Sequence, residues 1–401
     1  MVILQEEILQ EALLLQEEMI ENRRYLHENP ELGLELPNTS SFVHSKLKEM
    51  GYSDIKTVGK YGLTTTVGTG EGKVFLLRAD MDALPIVEDN QLPYQSKIKG
   101  KMHACGHDMH TTMLLAAAKI LKKYEEKIPG TIKFMFQPGE EVMLGAVEMI
   151  ENGILENPKP DAALMIHIVP ALPLDIGTVT TAVPGPTMAS IDWFEITIHG
   201  RGGHGSTPYL AIDPIVPMNA IQEAMHTIQS RELPPNAVVA LTVTGIHGCE
   251  TSNVIPDSVS IGGTLRTYDE EQRNYIKKRM VELSENIGKA YRCIVTVDFP
   301  AGAPYFDNSE KVVNQIEKAL PNYLGDKYMK PMAMKIPAMG SEDFAHISHE
   351  IPTGIMMVVA SDSRTGANYN VHHPKLVLDE NCLPYGAAAY VGVALSWLAD
   401  N

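Results

Sequence analysis

Nine consecutive residues, 102–110, hold the densest group of potential metal ligands in the chain. They read Met-His-Ala-Cys-Gly-His-Asp-Met-His and place Cys105 two residues before His107. Thiolates and imidazoles are ligands of borderline-soft divalent ions such as Zn²⁺ or Mn²⁺. Further candidate ligands follow along the chain: Glu140, Glu141, His167, His372 and His373. The combined set predicts a hydrolase that uses divalent metal ions.

Each of these residues also has an ordinary structural interpretation. A lone buried cysteine is commonly a small apolar residue, and a lone histidine more often satisfies a local hydrogen bond. The closeness of Cys105 to His107, together with the acidic pair, favours metal binding. Gly106 argues against a single helix carrying two histidine ligands, and the sequence contains no His-Glu-x-x-His motif.

Composition limits the classes of protein to consider. The length of 401 residues exceeds what one hydrophobic core usually supports, so two domains are expected. The net charge of −17 disfavours binding to nucleic acids or anionic membranes. We expect a cytoplasmic protein, because the N-terminus is acidic, no run of about 18 apolar residues is present, and the cysteines are few. The cysteines are Cys105, Cys249, Cys293 and Cys382.

The first part of the chain alternates helical and buried-strand patterns. Helices are predicted at about 4–27, 39–50, 111–124 and 145–152. Short apolar strands are predicted at 74–79, 131–136 and 162–168. Asp82, the acidic pair and His167 lie at or just beyond the ends of these strands. Open α/β sheets form ligand sites at the carboxyl ends of their strands, so we expect these residues to converge.

The pattern changes after residue 181. Alternating strands are predicted at 193–198, 238–243, 259–266 and 293–299, with amphipathic helices around 221–228 and 275–287. This strand–helix–strand–strand–helix–strand order predicts one sheet covered by two helices. Proline-glycine segments at 184–186 and 300–304 are the expected hinges. We therefore predict an α/β catalytic domain from residues 1–186 and 301–401, and an inserted domain from 187–300. A strand at 353–359 and a helix at 384–398 complete the first domain.

Several motifs carry a resemblance to a known family. They begin at Arg24, Leu77, His103, Phe136, Gly200, Asn253, Gly340 and His372, and read RYLHENPELG, LRADMDALP, HACGHD, FQPGEE, GRGGHG, NVIPD, GSEDF and HHP. In this order they resemble the M20 metallopeptidase family, most closely its aminoacylase/carboxypeptidase subfamily, over nearly the whole chain. The resemblance implies a zinc-peptidase-like α/β catalytic domain with an inserted ferredoxin-like α+β lid that commonly dimerises.

The resemblance also implies a set of metal ligands. Matching the motifs gives Cys105, His107, Glu141, His167 and His372. Five ligands with a thiolate that can bridge suit two divalent ions, Zn²⁺ or Mn²⁺, with Co²⁺ or Ni²⁺ as alternatives. His372 is chosen over His373 because the family ligand stands two residues before a proline, here Pro374.

Two carboxylates have implied roles outside metal ligation. Glu140 matches the general base that takes a proton from a metal-activated water and passes it to the leaving nitrogen. Its alternative role is to complement the dipole of a helix N-terminus. Asp82 matches a carboxylate that orients a ligand imidazole, although a turn or helix-capping role is about equally expected. Gly139 replaces a common alanine in the acidic motif, and we expect it to loosen the approach to the pair.

The inserted domain contributes residues that the resemblance assigns to the substrate. His204 is implied to reach the partner subunit's active site and stabilise the oxyanion, and Asn253 and Arg266 to hold the substrate carboxylate or the tetrahedral intermediate. A structural role in a turn is nearly as expected for Asn253. Residues 200–205 also match the dinucleotide fingerprint G-x-G-x-x-G, but no helix opens directly after them, so we reject nucleotide binding.

The leading prediction is a metal-dependent amidohydrolase that cleaves the amide bond of N-acyl amino acids. A metallocarboxypeptidase or dipeptidase using the same dinuclear centre is the alternative, and a scaffold protein with an inactive centre is disfavoured by the intact Glu140. The absence of G-x-S-x-G in the sequence disfavours a serine hydrolase. The expected partners are a small-molecule substrate and a second copy of the chain, as a homodimer or homotetramer formed through the lid.

Overall fold

The computed structural model describes residues 5–248, 251–331, 339–366 and 368–401. Leu4, where the first helix was predicted to start, and Cys249 lie outside these residues. The described chain divides into two compact units. The first contains 5–187, 307–331 and 343–401, and the second contains 188–306 together with 339–342.

The helices, in chain order, are α1 (Gln5–Leu14), α2 (Gln16–Glu28), α3 (Pro37–Glu49), α4 (His107–Lys123), α5 (Gly145–Glu151), α6 (Ile215–Thr227), α7 (Glu270–Ala290), α8 (Glu310–Leu324), α9 (Ala345–Ser348) and α10 (Leu383–Asp400). The strands are β1 (Lys56–Val58), β2 (Gly62–Gly68), β3 (Val74–Asp80), β4 (Thr131–Gln137), β5 (Ala162–Val169), β6 (Val179–Thr181), β7 (Gly185–Met188), β8 (Ile191–His199), β9 (Gly203–His204), β10 (Val239–His247), β11 (Val254–Ile255), β12 (Ser258–Thr267), β13 (Ile294–Ala303), β14 (Phe306–Asn308) and β15 (Thr353–Val359).

The first unit is built on a seven-stranded mixed sheet in the order β1-β2-β4-β3-β5-β15-β6. The central strands β4, β3, β5 and β15 pair in parallel, whereas β1, β2 and β6 join antiparallel at the two sides. Every residue of β3 and β4 is buried, as expected for strands covered on both faces. The carboxyl ends of the parallel strands therefore meet at one edge of the sheet, where ligand sites form in such folds.

Three differences from the sequence expectations concern helices of this unit. The N-terminal helical pattern is divided at Leu15 into α1 and α2. Helix α8, which packs against α10, was not predicted, although its apolar residues follow a clear helical period. Helix α4 begins at His107 and not at residue 111, so His107 lies in the first turn of a helix.

The second unit has one four-stranded antiparallel sheet in the order β10-β12-β8-β13. The chain order of strands and helices is β8, α6, β10, β12, α7 and β13, which is the ferredoxin-like arrangement. Alternate residues of β8 are buried and exposed along much of its length, because one sheet face packs against the two helices. The expected hinge at 300–304 was wrong, since β13 continues through a bulge to Ala303.

One segment, Glu380–Asp400, has the length and apolar composition of a membrane-crossing helix. Of its most apolar window, 83% is buried inside the protein, as in the core helix of a folded domain. Cys105, Cys293 and Cys382 are buried and unpaired among the described residues.

Candidate metal centre

The start of α4 presents the first two candidate ligands. Gly106 precedes the helix in the left-handed region, with φ of +87°. A Cβ at this position would lie 2.6 Å from Cγ1 of Ile168, so both the backbone angle and the space require glycine. The turn at Gly106 joins Cys105, in the loop, to His107, in the first turn of α4. Both side chains belong to one group of candidate ligands.

The acidic pair follows β4 and is held by Asp82. The backbone N–H of Glu140 donates to Oδ1 of Asp82 at 3.0 Å, and that of Glu141 donates to Oδ2 at 3.1 Å. Oδ1 of Asp82 also lies 3.4 Å from Nδ1 of His107. One buried carboxylate thus fixes the loop that carries both glutamates and faces a candidate ligand ring.

The expectation that Gly139 loosens this loop is wrong. Gly139 has φ of +70°, and a Cβ there would lie 2.5 Å from Cδ2 of Leu34. The glycine allows a tight turn against a packed leucine, because any other residue would be strained and would displace that side chain.

The structure brings the five predicted ligands into two overlapping groups that share Cys105. One group contains Cys105, His107 and His167, and the other contains Cys105, Glu141 and His372, with the ligand atoms of each group within 4.8 Å of one another. Two atoms bound to one ion at about 2.0–2.3 Å lie at most about 4.6 Å apart, so each group is close to a coordinating arrangement. Glu140 falls in a third group with His107 and Glu141.

The chemistry of these residues fits divalent cations. Nε2 of His107 and Oε1 of Glu141 are buried and have no hydrogen-bond partner of normal geometry in the described structure. Burial lowers the pKa of His107, but Asp80, Asp82 and Glu141 outweigh it and raise that pKa to about 10. Burial, with Glu141, Glu140 and Asp80 nearby, raises the pKa of the Cys105 thiol well above its usual range. The site therefore favours added positive charge, and a bound divalent ion would allow Cys105 to ionise.

His167 lies near the carboxyl end of β5 with its ring orientation fixed. Its Nδ1 donates to the carbonyl oxygen of Ile168 at 2.6 Å, which leaves Nε2 as the nitrogen with a free lone pair. Nε2 lies 3.6 Å from Sγ of Cys105. The tautomer required of a ligand is thus set by the backbone.

His372 occupies a strained position next to the Cys105 segment. Its φ is +65°, and its backbone N–H donates to the carbonyl oxygen of Ala104 at 2.7 Å. Its Nε2 lies 3.4 Å from Oε1 of Glu141. His373 instead stacks on Tyr369 and accepts a hydrogen bond from the backbone of Lys375, so the structure places His372 in the cluster and His373 beside it.

A buried polar network behind the ligands was not anticipated from the sequence. Arg78 donates to Oδ2 of Asp80 at 2.6 Å, and Oδ1 of Asp80 accepts from Nδ1 of His110, also at 2.6 Å. Burial, partly opposed by Asp80, lowers the pKa of His110 to about 4, so its ring is neutral. The signal was present in the motif that contains Arg78 and Asp80, but their partners come from distant segments.

A second unanticipated network anchors the first turn of α4. Asp108 is fully buried and accepts hydrogen bonds from Arg23 at 2.9 Å and from His27 at 2.8 Å. Burial raises the pKa of Asp108, but Arg23 and His27 outweigh it and hold that pKa well below its usual range. A stable carboxylate next to His107 therefore ties the start of α4 to α2.

In the second unit, His204 lies on β9, and Asn253 lies in the turn just before the neighbouring strand β11. β9 pairs with β11 through His204 and Val254, and the N–H of Gly205 donates to the carbonyl oxygen of Asn253 at 2.8 Å. Nδ1 of His204 accepts from the backbone N–H of Ser206 at 3.1 Å, so the neutral ring carries its proton on Nε2. The exposed His204 can donate a hydrogen bond from that nitrogen.

Residues 200–205 contain the short strand β9, and the next α-helix starts only at Ile215, which is consistent with rejecting a dinucleotide fingerprint. Arg266, on β12, donates through one guanidinium nitrogen to the carbonyl oxygen of Met339 at 2.6 Å and to Ser341 at 2.9 Å. In the described structure it forms no ion pair with a carboxylate, and partial burial lowers its pKa. A guanidinium of this kind is suited to a carboxylate from a substrate.

Comparison with known proteins identifies the family. The profile of Peptidase family M20/M25/M40 matches residues 76–396. The chain belongs to this family. It is 38% identical over 386 residues to the IAA-amino acid hydrolase ILR1-like 4 of Arabidopsis thaliana, covering 95% of this chain and 86% of that protein. It is also 38% identical over 370 residues to the N-acetyl-L-cysteine deacetylase of Bacillus subtilis, covering 92% and 85%.

A solved structure shares the fold. The Bacillus subtilis YXEP protein, described as a dinuclear metal binding peptidase from the M20 family, superposes with a TM-score of 0.77 at 31% identity, covering 96% of this chain and 99% of that one. As a member of the M20 family, the chain is a metal-dependent hydrolase of amide bonds. The fold predicted from the sequence, an α/β catalytic domain with an inserted ferredoxin-like domain, is confirmed.

Proposed function

We propose that this chain hydrolyses the amide bond of N-acyl amino acids, with Glu140 as the general base beside two divalent ions. The observation that carries the proposal is the pair Glu140 and Glu141 at the end of β4. Both carboxylates lie 3.8 Å from Nε2 of His107, but only Glu141 joins a ligand group that contains Cys105. This difference supports Glu141 as the metal ligand and Glu140 as the group that moves a proton.

Five residues would hold the ions: Cys105, His107, Glu141, His167 and His372. When bound, two such ions supply Lewis acidity and lower the pKa of a coordinated water. Zn²⁺ or Mn²⁺ suits the mixture of thiolate, imidazole and carboxylate donors, and Co²⁺ or Ni²⁺ can substitute.

Glu140 accepts the proton of the attacking water and delivers it to the leaving nitrogen. Asp82 holds the backbone of both glutamates, so the base keeps its position during the transfer. A carboxylate positioned in this way typically contributes about 10²–10⁴-fold to the rate.

The second unit supplies recognition groups in this proposal. His204 donates from Nε2 to the oxyanion, in the tautomer set by Ser206. Arg266 binds the substrate carboxylate, and Asn253 supports the intermediate or the carboxylate. His204 acts on the partner subunit's site in a homodimer, or a homotetramer, formed through the second unit. The proposed lid is the second compact unit, 188–306 with 339–342, and the first compact unit is the proposed catalytic domain.

The names of the relatives support the substrate class. One is named for removing an acetyl group from N-acetyl-L-cysteine, and another for hydrolysing an IAA-amino acid. The matching solved structure is described as a peptidase, which favours cleavage of dipeptides or of C-terminal residues as the second candidate. A cytoplasmic location is part of the proposal and is supported by the unpaired cysteines.

A substrate panel with a matched variant tests the proposal. The purified protein loaded with Zn²⁺, Mn²⁺ or Co²⁺ is assayed on N-acetyl amino acids and on dipeptides that carry the same C-terminal residue. We expect a higher kcat/KM for the N-acyl compounds, and we expect Glu140→Gln to lose at least about 10²-fold in kcat while retaining both ions. Faster cleavage of the dipeptides would select the second candidate. Loss of metal from Glu140→Gln would make Glu140 a ligand and refute its role as the base.

A further inference from the structure

The ladder between two central strands stops before the metal cluster. β3 and β5 pair in parallel from Phe75 and Ala162 as far as Arg78 and Met165. β5 then continues to Val169, and on its other side it stays paired with β15 through that residue. The last residues of β5, which include His167, therefore have no β3 partner.

Two side chains replace β3 as hydrogen-bond acceptors along this stretch. The hydroxyl of Tyr390 accepts from the N–H of Ile166 at 2.9 Å and donates to the carbonyl oxygen of Arg78 at 2.6 Å. Nε2 of His110 accepts from the N–H of Ile168, also at 2.9 Å. Because alternate N–H groups of a strand face the same neighbour, the phenol and the imidazole continue the ladder where the backbone of β3 departs.

The proton positions on His110 follow from its two partners. Nε2 accepts from a backbone N–H and so carries no hydrogen, which leaves the hydrogen on Nδ1 for donation to Asp80. His110, Asp80 and Ile168 are all buried, so neither bond competes with solvent.

We propose that His110 is a positioning residue that sets the distance between two metal ligands, His107 and His167. His110 lies one helical turn after His107 on α4, and it binds the peptide that joins His167 to Ile168. Its ring centroid is 5.4 Å from that of His107 and 4.7 Å from that of His167. One ring thus links the helix that carries one ligand to the strand that carries the other. It therefore affects the ion held by His107 and His167 rather than the ion held by Glu141 and His372.

This inference rests on the proposed metal ligands. Its consequence is selective: losing the bond to Ile168 weakens one ion position and spares the other. Residues that orient metal ligands typically change metal affinity by about 10–100-fold when they are replaced.

Two substitutions of His110 separate its two hydrogen bonds. In His110→Asn the amide nitrogen can still donate to Asp80, but no atom reaches Ile168. In His110→Gln the longer side chain can bring its oxygen to the N–H of Ile168. Thr111→Val is the matched control, since the buried Thr111 hydroxyl donates to the backbone oxygen of Asp80, on β3, at 2.8 Å and not to the N–H of Ile168.

The measurements are Zn²⁺ affinity by competition with a chromogenic chelator, metal content by elemental analysis, and hydrogen–deuterium exchange at the Ile168 amide. We expect His110→Asn to weaken one of two ions by about 10–100-fold and to speed exchange at Ile168. His110→Gln should restore much of that affinity, and Thr111→Val should bind both ions like the unmodified protein. If His110→Asn does not fold, His110→Leu replaces it, because leucine also has no atom that accepts from the N–H of Ile168 and should weaken the same ion.

Unchanged affinity for both ions in His110→Asn, together with faster exchange at Ile168, would overturn the inference. Equal weakening of both ions in His110→Gln and Thr111→Val would overturn it as well, because the effect would then be a general loss of packing. His167→Ala distinguishes a deeper failure. If His167→Ala keeps both ions, the proposed ligand set is wrong and the inference falls with it. If His167→Ala loses one ion while His110→Asn keeps both, only the role of His110 is refuted.

Discussion

Replacing Asp82 with alanine should both destabilise the protein and weaken metal binding. The carboxylate accepts the N–H groups of Glu140 at 3.0 Å and Glu141 at 3.1 Å, and it lies 3.4 Å from Nδ1 of His107. Asp82 is 1% exposed, so water has little access to replace it. In Asp82→Ala, two backbone donors at the end of β4 lose their acceptor, and the His107 ring loses a neighbour that orients it.

The magnitude follows from these contacts. A buried donor left without an acceptor costs about 1–3 kcal/mol, so two such groups predict a loss of about 2–6 kcal/mol in the free energy of unfolding. Water admitted to the space left by the carboxylate recovers part of this, so we expect a loss of about 2–4 kcal/mol. The disturbed imidazole and loop should weaken metal binding by about 10–100-fold.

Urea unfolding of the metal-free protein measures the first effect, and titration with Zn²⁺ measures the second. Asp161→Ala is the control, because Asp161 also accepts a backbone N–H, from Val74 at 2.9 Å, but stands at the other end of β3. We expect Asp161→Ala to lose some stability and no metal affinity. An Asp82→Ala variant with unchanged unfolding free energy and unchanged metal affinity would refute the role of Asp82 in holding the Glu140–Glu141 loop. Loss of metal affinity of equal size in both variants would mean that general destabilisation causes it.

Three other outcomes are expected. Cys105→Ala should lose at least one ion by elemental analysis, because Cys105 belongs to both ligand groups; full occupancy with unchanged activity would return it to a packing role. His204→Ala should lower kcat and leave metal affinity unchanged, and mixing it with Glu140→Gln subunits should restore part of the activity if His204 serves the partner subunit. No recovery in confirmed heterodimers would restrict His204 to its own subunit. Lys133→Met should lower the free energy of unfolding in urea by about 2–3 kcal/mol, because the buried ammonium donates to the carbonyl oxygens of residues 154, 156 and 158. Lys73→Met should lower it by less than about 1 kcal/mol, because Lys73 forms an exposed ion pair. Equal losses in the two lysine variants would contradict that reasoning.

The sequence alone determined the local features of this protein. Apolar runs identified β3, β4 and β5 because strands covered on both faces must be continuously apolar. The alternation in β8 and β12 identified a sheet with one covered face, and so the ferredoxin-like unit. The candidate ligands could be found because their side-chain chemistry is explicit in the sequence, and because Cys105 and His107 are near neighbours.

Only the tertiary structure decided how distant segments share hydrogen bonds. His110 binds Asp80 from 30 residues away and Ile168 from 58 residues away, and Asp82 binds Glu140 across 58 residues. Periodicity reports which face of an element is buried, but it does not report which neighbour lies across that face or where a strand pair ends. The left-handed Gly106 likewise places the start of α4 at His107, where helical propensity alone favoured a later start. The ligand types are therefore a property of the sequence, whereas the buried groups that fix the ligands depend on strand order and register, which form only when the chain folds.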